Sequence, residues 1–312
     1  MHDQPQSANQ ESTVPKNERL APNRSPARPF LVAVAVLLLL FSLQIFQVFR
    51  FALGSELYSY IILIPFASAY LVWTKNIPLS SNKNFLPKFW PVIFFLIGTG
   101  LLGWFFLSAS TPQDSLALSM SSLVMMLAAI CGWFLDRSTL RDIAFPLAFL
   151  LLLAPLPMSV EANLETLLQH GSSIVAQMFF QIIGTPVFRD GTNFLLPNGF
   201  PMRVAPECSG IHSTVALLIT SLVAGQVLLR SNWNRAILAL IVIPIALLRN
   251  GLRVTVIGEL CVRIGPEMID SYIHRHGGPI FFALSLIPFT LGLFFLLKLD
   301  RKNEPQIKPT TP

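Results

Sequence analysis

Residues 89–108 read FWPVIFFLIGTGLLGWFFLS, twenty positions without a charged side chain. A run of that length matches the roughly 20 residues a helix needs to cross a bilayer core about 30 Å thick. A helix apolar on every face is one that lipid or a large core surrounds. Outward from this segment, similar runs recur at roughly 30–50, 57–74, 114–135, 142–158, 209–229, 235–257 and 279–298. The reading is an all-α polytopic transmembrane helical bundle of about eight spans. Composition agrees, since 53% of the 312 residues are hydrophobic and 12% charged, about half the charged share of a soluble domain. Pro65, Pro146 and Pro244 interrupt runs, as membrane helices tolerate. Trp73, Trp90, Trp133 and Trp233 fall near run ends, where amphipathic rings favour the interface.

The formal net charge of +6 does not point to nucleic acid, because the basic residues cluster between spans. Starting the N-terminus inside puts Lys16, Arg19, Arg24 and Arg28, then Lys75, Lys83 and Lys88, on the cytoplasmic side. Arg137 and Arg141, Arg230 and Arg235, and Lys298, Arg301, Lys302 and Lys308 follow on the same side. Every inside segment then holds at least two cations, which satisfies the positive-inside rule throughout. The expected organisation is a disordered cytoplasmic tail over 1–28, a transmembrane domain over 29–300 and a second cytoplasmic tail over 301–312. The polar tail before the first run, with no small-residue cleavage site after it, argues against a cleavable signal peptide.

Two long segments remain outside, about 159–208 and 258–278. In the first, Leu164, Leu167, Leu168, Ile174, Val175, Phe179 and Ile182 recur at near-helical spacing. They predict an amphipathic helix on the membrane surface, with a short extra pair of spans as the alternative. Asp190-Gly191 and Pro197-Asn198-Gly199 then break an apolar stretch and predict a small extracytoplasmic hairpin-like loop.

Three elements carry chemistry. An ionisable side chain within a span costs a few kcal/mol, so it calls for a function or a partner. The seventh run contains Arg249-Asn250-Gly251-Leu252-Arg253, which places both arginines on one helical face with Asn250 beside them. Snorkelling to the interface suits Arg253, near the run's end, better than the deeper Arg249. Cys208, in Glu207-Cys208-Ser209-Gly210, stands where the outer segment enters the sixth run. A helix N-terminus and a nearby arginine lower a thiol pKa and expose the reactive thiolate. The competing reading is a small core residue, which also suits Cys131; Cys261 is inert or paired. His274 and His276 precede the last run on the same side and suit acid–base work. His212, four residues past Cys208, is a rival base. A metal site using His274 and His276 with Asp270 or Cys261 lacks tight ligand spacing.

These residues resemble the exosortase/archaeosortase family from about Phe188 through Phe282. The matching motifs are Pro197-Asn198-Gly199, Cys208-Ser209-Gly210, Asn250-Gly251-Leu252-Arg253, and His274 with Gly278 and Phe282 beyond. The resemblance implies a membrane-embedded cysteine transpeptidase whose catalytic part covers about 186–282. It carries over Cys208 as nucleophile, Arg253 as oxyanion or thiolate stabiliser and His274 as general acid and base. Asn250, Arg249, Ser209, Gly210 and His276 are supporting residues, and Arg249 and His276 remain alternatives to Arg253 and His274. The implied partners are secreted proteins ending in a Pro-Glu-Pro-type motif, a transmembrane span and a basic tail, together with membrane lipid and an acceptor nucleophile. The implied location is the inner membrane with the active site on its outer face, and the chemistry asks for no cofactor or metal. The alternative is a non-catalytic carrier or exopolysaccharide-assembly protein whose arginines bind an anionic substrate.

Overall fold

The structure, a computed structural model, describes residues 27–75, 87–107, 111–204, 209–270 and 277–302. The expected tails fall largely outside the described residues, as do Cys208, His274 and His276. Helices α1 (Ala27–Leu40) and α2 (Ser42–Leu53) meet at a bend and lead into a 3-10 turn at Ser59–Leu63 and α3 (Ile64–Trp73). After them come α4 (Phe89–Leu107), α5 (Pro112–Phe134), α6 (Arg137–Phe149) and α7 (Met158–Ile183). A three-stranded antiparallel sheet, β1 (Phe188–Asp190), β2 (Asn193–Leu195) and β3 (Pro201–Arg203), separates them from α8 (Ile211–Leu228). The chain closes with α9 (Asn232–Leu240), α10 (Val242–Arg263) and α11 (Gly278–Lys302).

Among the described residues five helices are long and apolar enough to cross a membrane, or seven if each of two bent pairs forms one span. The expected eight is therefore not reached, because one run gives a short helix and another breaks at prolines. The run at 57–74 gives an apolar helical segment of only 15 residues, Ser59–Trp73, with Pro65 at the junction of its 3-10 turn and α3. The run at 142–158 breaks at Ala154-Pro155-Leu156-Pro157, where the chain turns by 93°; residues before proline are driven out of the helical region. Pro146 lies inside α6, and its missing N–H frees the carbonyl of Asp142. That carbonyl accepts from Lys75 Nζ at 2.6 Å, and Ser68 Oγ donates to the Pro146 carbonyl at 2.8 Å. Asp136 caps α6 through the Ser138 and Thr139 hydroxyls and amides, which hold its pKa down to about 2.

The segment expected to be an amphipathic surface helix is helical, as α7, and its apolar positions divide between two faces. Leu164, Leu167, Ile174 and Ile182 form an exposed stripe, a surface of the kind lipid covers. Leu168, Ser172, Ser173, Ala176 and Phe180 are buried, largely against α10. Gly171, Val175 and Phe180 meet Leu247, Gly251 and Gly258 in turn, so the two helices run side by side in the same direction. Glycine makes that approach possible. A Cβ on Gly251 would lie 2.5 Å from Val175 Cγ1 and 3.1 Å from the Ala176 amide. Gly251→Ala gains up to about 1 kcal/mol of helix propensity, but overpacking here costs about 1–3 kcal/mol. We expect a lower melting temperature in micelles and a further drop for Gly251→Leu; an unchanged melt for both would refute the close contact.

The predicted hairpin is present, extended by a third strand. Asp190 pairs with Asn193 across Gly191-Thr192, and Gly191 takes φ 61°, the left-handed conformation that two-residue hairpins favour. Phe194 of the sheet packs on Phe180 of α7 with ring centroids 5.8 Å apart. Leu196, Met202, Val204, Ile257 and Cys261 complete this small core.

Candidate functional site

The site forms where α8 begins against the middle of α10. Gly210 lies opposite Arg249, and Gly225 opposite Arg235 and Leu238, so α8 runs antiparallel to α9 and α10. Its first turn stops at the level of Arg249. The last roughly 21 Å of α10 is covered by α7 and the sheet instead. Helical bundle and sheet thus meet at Arg249-Asn250-Gly251-Leu252-Arg253.

Arg249 and Asn250 hold the chain that follows Cys208. Arg249 is 6% exposed and Asn250 2%, so neither snorkels. Arg249 Nη2 donates to the Gly210 carbonyl at 3.1 Å and to Thr214 Oγ1 at 3.4 Å. Asn250 Nδ2 donates to the Ser209 carbonyl at 3.2 Å and to Ser172 Oγ at 3.0 Å. The Nη1 group of Arg249 is buried without a hydrogen-bond partner among the described residues; leaving a buried donor so costs about 1–3 kcal/mol. Arg249 also lines an apolar groove of about 290 Å³ between α7, α10 and α11, with Phe179, Leu252, Leu284 and Pro288 among its other lining residues.

Arg253 is half-buried one turn further along. It lines a cavity of about 20 Å³ with Val204 and Ile269, enough for one water. Val204 is the last described residue before 205–208, and Ile269 lies two residues before 271–276. Arg253 therefore shares a small cavity with residues of both chain segments that lead toward Cys208 and His274, while Arg249 holds the segment that leaves Cys208.

Gly210 caps α8 at φ 74°, and a Cβ there would lie 2.9 Å from Arg249 Nη2. Both the left-handed backbone and the close guanidinium call for glycine. Gly210→Ala is expected to displace Arg249 and to cost about 1–2 kcal/mol in backbone strain. Thermal melting would register the strain, and the loss of activity should exceed what that melt explains.

The Pro197-Asn198-Gly199 stretch has a structural use. Asn198 Nδ2 donates to the Cys261 carbonyl at 3.1 Å, and Asn198 Oδ1 accepts from the Phe200 amide at 3.2 Å. It satisfies a carbonyl in the last turn of α10, where helices leave such groups unpaired. Cys131 and Cys261 are free and buried, as core residues. His212 is exposed and faces away from Arg249. Among the described residues no group of three His, Cys, Asp or Glu side chains gathers to hold a metal.

Two site residues escaped the sequence reading, Ser172 and Thr214. Each bonds a side chain of α10 from a helix distant in the chain. The only available signal was Gly171-Ser172-Ser173, a run of small residues of the sort that lets membrane helices approach.

The family model described as transmembrane exosortase matches residues 50–291. The chain belongs to the transmembrane exosortase family. The match reaches well beyond the motif-bearing part and takes in α3 to α6, where no motif was legible. Comparison with curated proteins and with solved structures found no match. With its apolar helices, this exosortase is a multi-pass membrane protein, of a family of cysteine transpeptidases. Its Ser209-Gly210 and Asn250-Gly251-Leu252-Arg253 stretches are in direct contact.

Proposed function

We propose that this chain is a cysteine transpeptidase that cleaves a C-terminal sorting signal from exported proteins at the outer face of the cytoplasmic membrane. The observation that carries the proposal is the position of the two arginines. Arg249 holds the chain just after residues 205–208, and Arg253 lines one small cavity with Val204, just before them, and with Ile269, on the approach to 271–276. Cys208 directly precedes Ser209, whose carbonyl Asn250 fixes. It also lies just before the N-terminus of α8, whose dipole, like the guanidinium of Arg249, favours an anion.

In the reaction the Cys208 thiolate attacks a peptide carbonyl of the substrate, forming an S–C bond and an oxyanion. Arg253 donates to that oxyanion, and Nη1 of Arg249, which has no partner among the described residues, offers a second donor. The oxyanion collapses, the C–N bond breaks, and His274 protonates the leaving amine. A thioester remains on Cys208 until an acceptor takes the acyl group. The substrate's apolar span packs into the groove between α7, α10 and α11, which accounts for a peptidase built inside a membrane body. The Arg230 and Ser231 amides pair with Asp300, which puts the turn between α8 and α9 and the end of α11 at one end of the bundle. This end, with Arg230, Arg235, Lys298, Arg301 and Lys302, is the cytoplasmic one by the positive-inside rule.

The test is co-expression with an exported protein ending in a Pro-Glu-Pro-type motif, an apolar span and a basic tail, followed by mass analysis. Shortening by the wild-type chain, and none with Cys208→Ala, is the expected result. Equal shortening by both would end the proposal.

A further inference from the structure

The first turn of α8 has two sides. Gly210 and Thr214 turn toward Arg249, whereas His212, about 200° around the helix from either, faces the chain that leaves α2. There Gly54, Ser55, Glu56, Ser59 and His212 line an open cleft of about 380 Å³, within the range of small-molecule sites. Its polar lining is one carboxylate, two hydroxyls and one imidazole, without a lysine or arginine. Such a lining selects a cation over an anion.

The cleft is built on a rigid floor. Ser59 Oγ donates to the Glu56 carbonyl at 3.0 Å and closes the turn. Tyr58, 2% exposed, donates from Oη to Glu161 Oε2 at 2.7 Å. Gln113 Nε2 donates to Tyr58 Oη at 3.0 Å and to the Leu156 carbonyl at 2.8 Å. This network ties the turn to α5 and α7, while the Glu56 carboxylate above it is left without a bond to the described residues and open to a ligand. Only four residues of chain separate His212 from Cys208, a reach of at most about 14 Å.

We infer that this cleft is the acceptor subsite and takes a primary amine; the inference rests on the transpeptidase reading above. The ammonium docks on Glu56, with Ser55 and Ser59 as further hydrogen-bond partners. His212 takes one proton and leaves a free amine. Its lone pair attacks the thioester carbonyl, the N–C bond forms, the C–S bond breaks, and the electron pair returns to Cys208 as thiolate. The second N–H proton passes to His274. Donor and acceptor thus approach the first turn of α8 from opposite sides.

Ethanolamine is the soluble probe, and phosphatidylethanolamine vesicles beside phosphatidylcholine vesicles supply the same amine as a lipid headgroup. The readout is the ratio of amide to hydrolysed product from the shortened substrate. It should saturate with the amine, and fall at least tenfold in Glu56→Gln and in His212→Ala. Saturation by ethanolamine alone would make the acceptor a soluble amine; saturation only in phosphatidylethanolamine vesicles would make it a lipid. Either outcome supports the cleft, whereas an unchanged ratio in Glu56→Gln and His212→Ala overturns it. A second measurement is independent of turnover: binding of ethanolamine to the full-length Cys208→Ala protein in micelles. Saturable binding that is lost on adding Glu56→Gln supports the subsite, and binding indifferent to Glu56 overturns it. Absence of shortening by the wild type strikes the transpeptidase reading alone, and the binding measurement then decides the cleft.

Discussion

Cys208→Ala is expected to leave a co-expressed substrate at full length, with processing reduced at least about 10³-fold, because removing a nucleophile removes the covalent route entirely. Cys208→Ser should do the same, since a hydroxyl is not ionised by a helix terminus and a guanidinium at neutral pH. Insertion and melting temperature should stay at wild-type values in both. The contrast with a carrier is sharp. A carrier that binds an anionic substrate needs Arg249 and Arg253 and has no use for the thiol, so full function in Cys208→Ala would favour it. Trapping supplies a positive control: the wild type should accumulate a thioester that hydroxylamine releases, and Cys208→Ala should show none.

The second large effect separates the two arginines. Arg253 is half-buried and stands beside Val204 and Ile269, whereas Arg249 is buried and bonds the Gly210 carbonyl and Thr214. Loss of one oxyanion donor costs about 10²–10³ in turnover, and that is the expected effect of Arg253→Ala at unchanged thermal stability. Arg249→Ala should lose activity to a similar degree and stability as well, since the Gly210 carbonyl loses its donor and the groove gains a void. Arg249→Lys cannot reach both acceptors and still present a second donor, so it should remain inactive. If Arg253→Ala proved as active as the wild type, Arg249 would be the sole oxyanion donor; if both variants were active, the transpeptidase scheme would fall.

Much of this was legible in the residues. The helix-length apolar runs required a membrane protein, and the run at 89–108 is recovered as α4 almost residue for residue. Arg249 and Arg253 on one face, with Asn250 beside them, were readable from helical spacing, as was the turn at Asp190-Gly191. The number of spans was not. Hydrophobicity cannot distinguish a helix that crosses from one that breaks or stops short: the run at 142–158 breaks at prolines, and that at 57–74 yields only the short helix Ser59–Trp73. The partner of α7 was also hidden, because periodicity marks which face is apolar and not what covers it.

By itself the sequence determined the class of protein, the order of its motifs and the residue types available for chemistry. These follow from composition and short-range spacing, which are local properties of the chain. Tertiary structure alone decided that Ser172 supports Asn250, that Gly210 makes room for Arg249, and that Asn198 secures the end of α10. It also decided that His212 and Glu56 share a cleft. Each of these pairings joins residues dozens of positions apart, and their proximity comes from helices packing at glycines and small side chains, an outcome that no local pattern encodes.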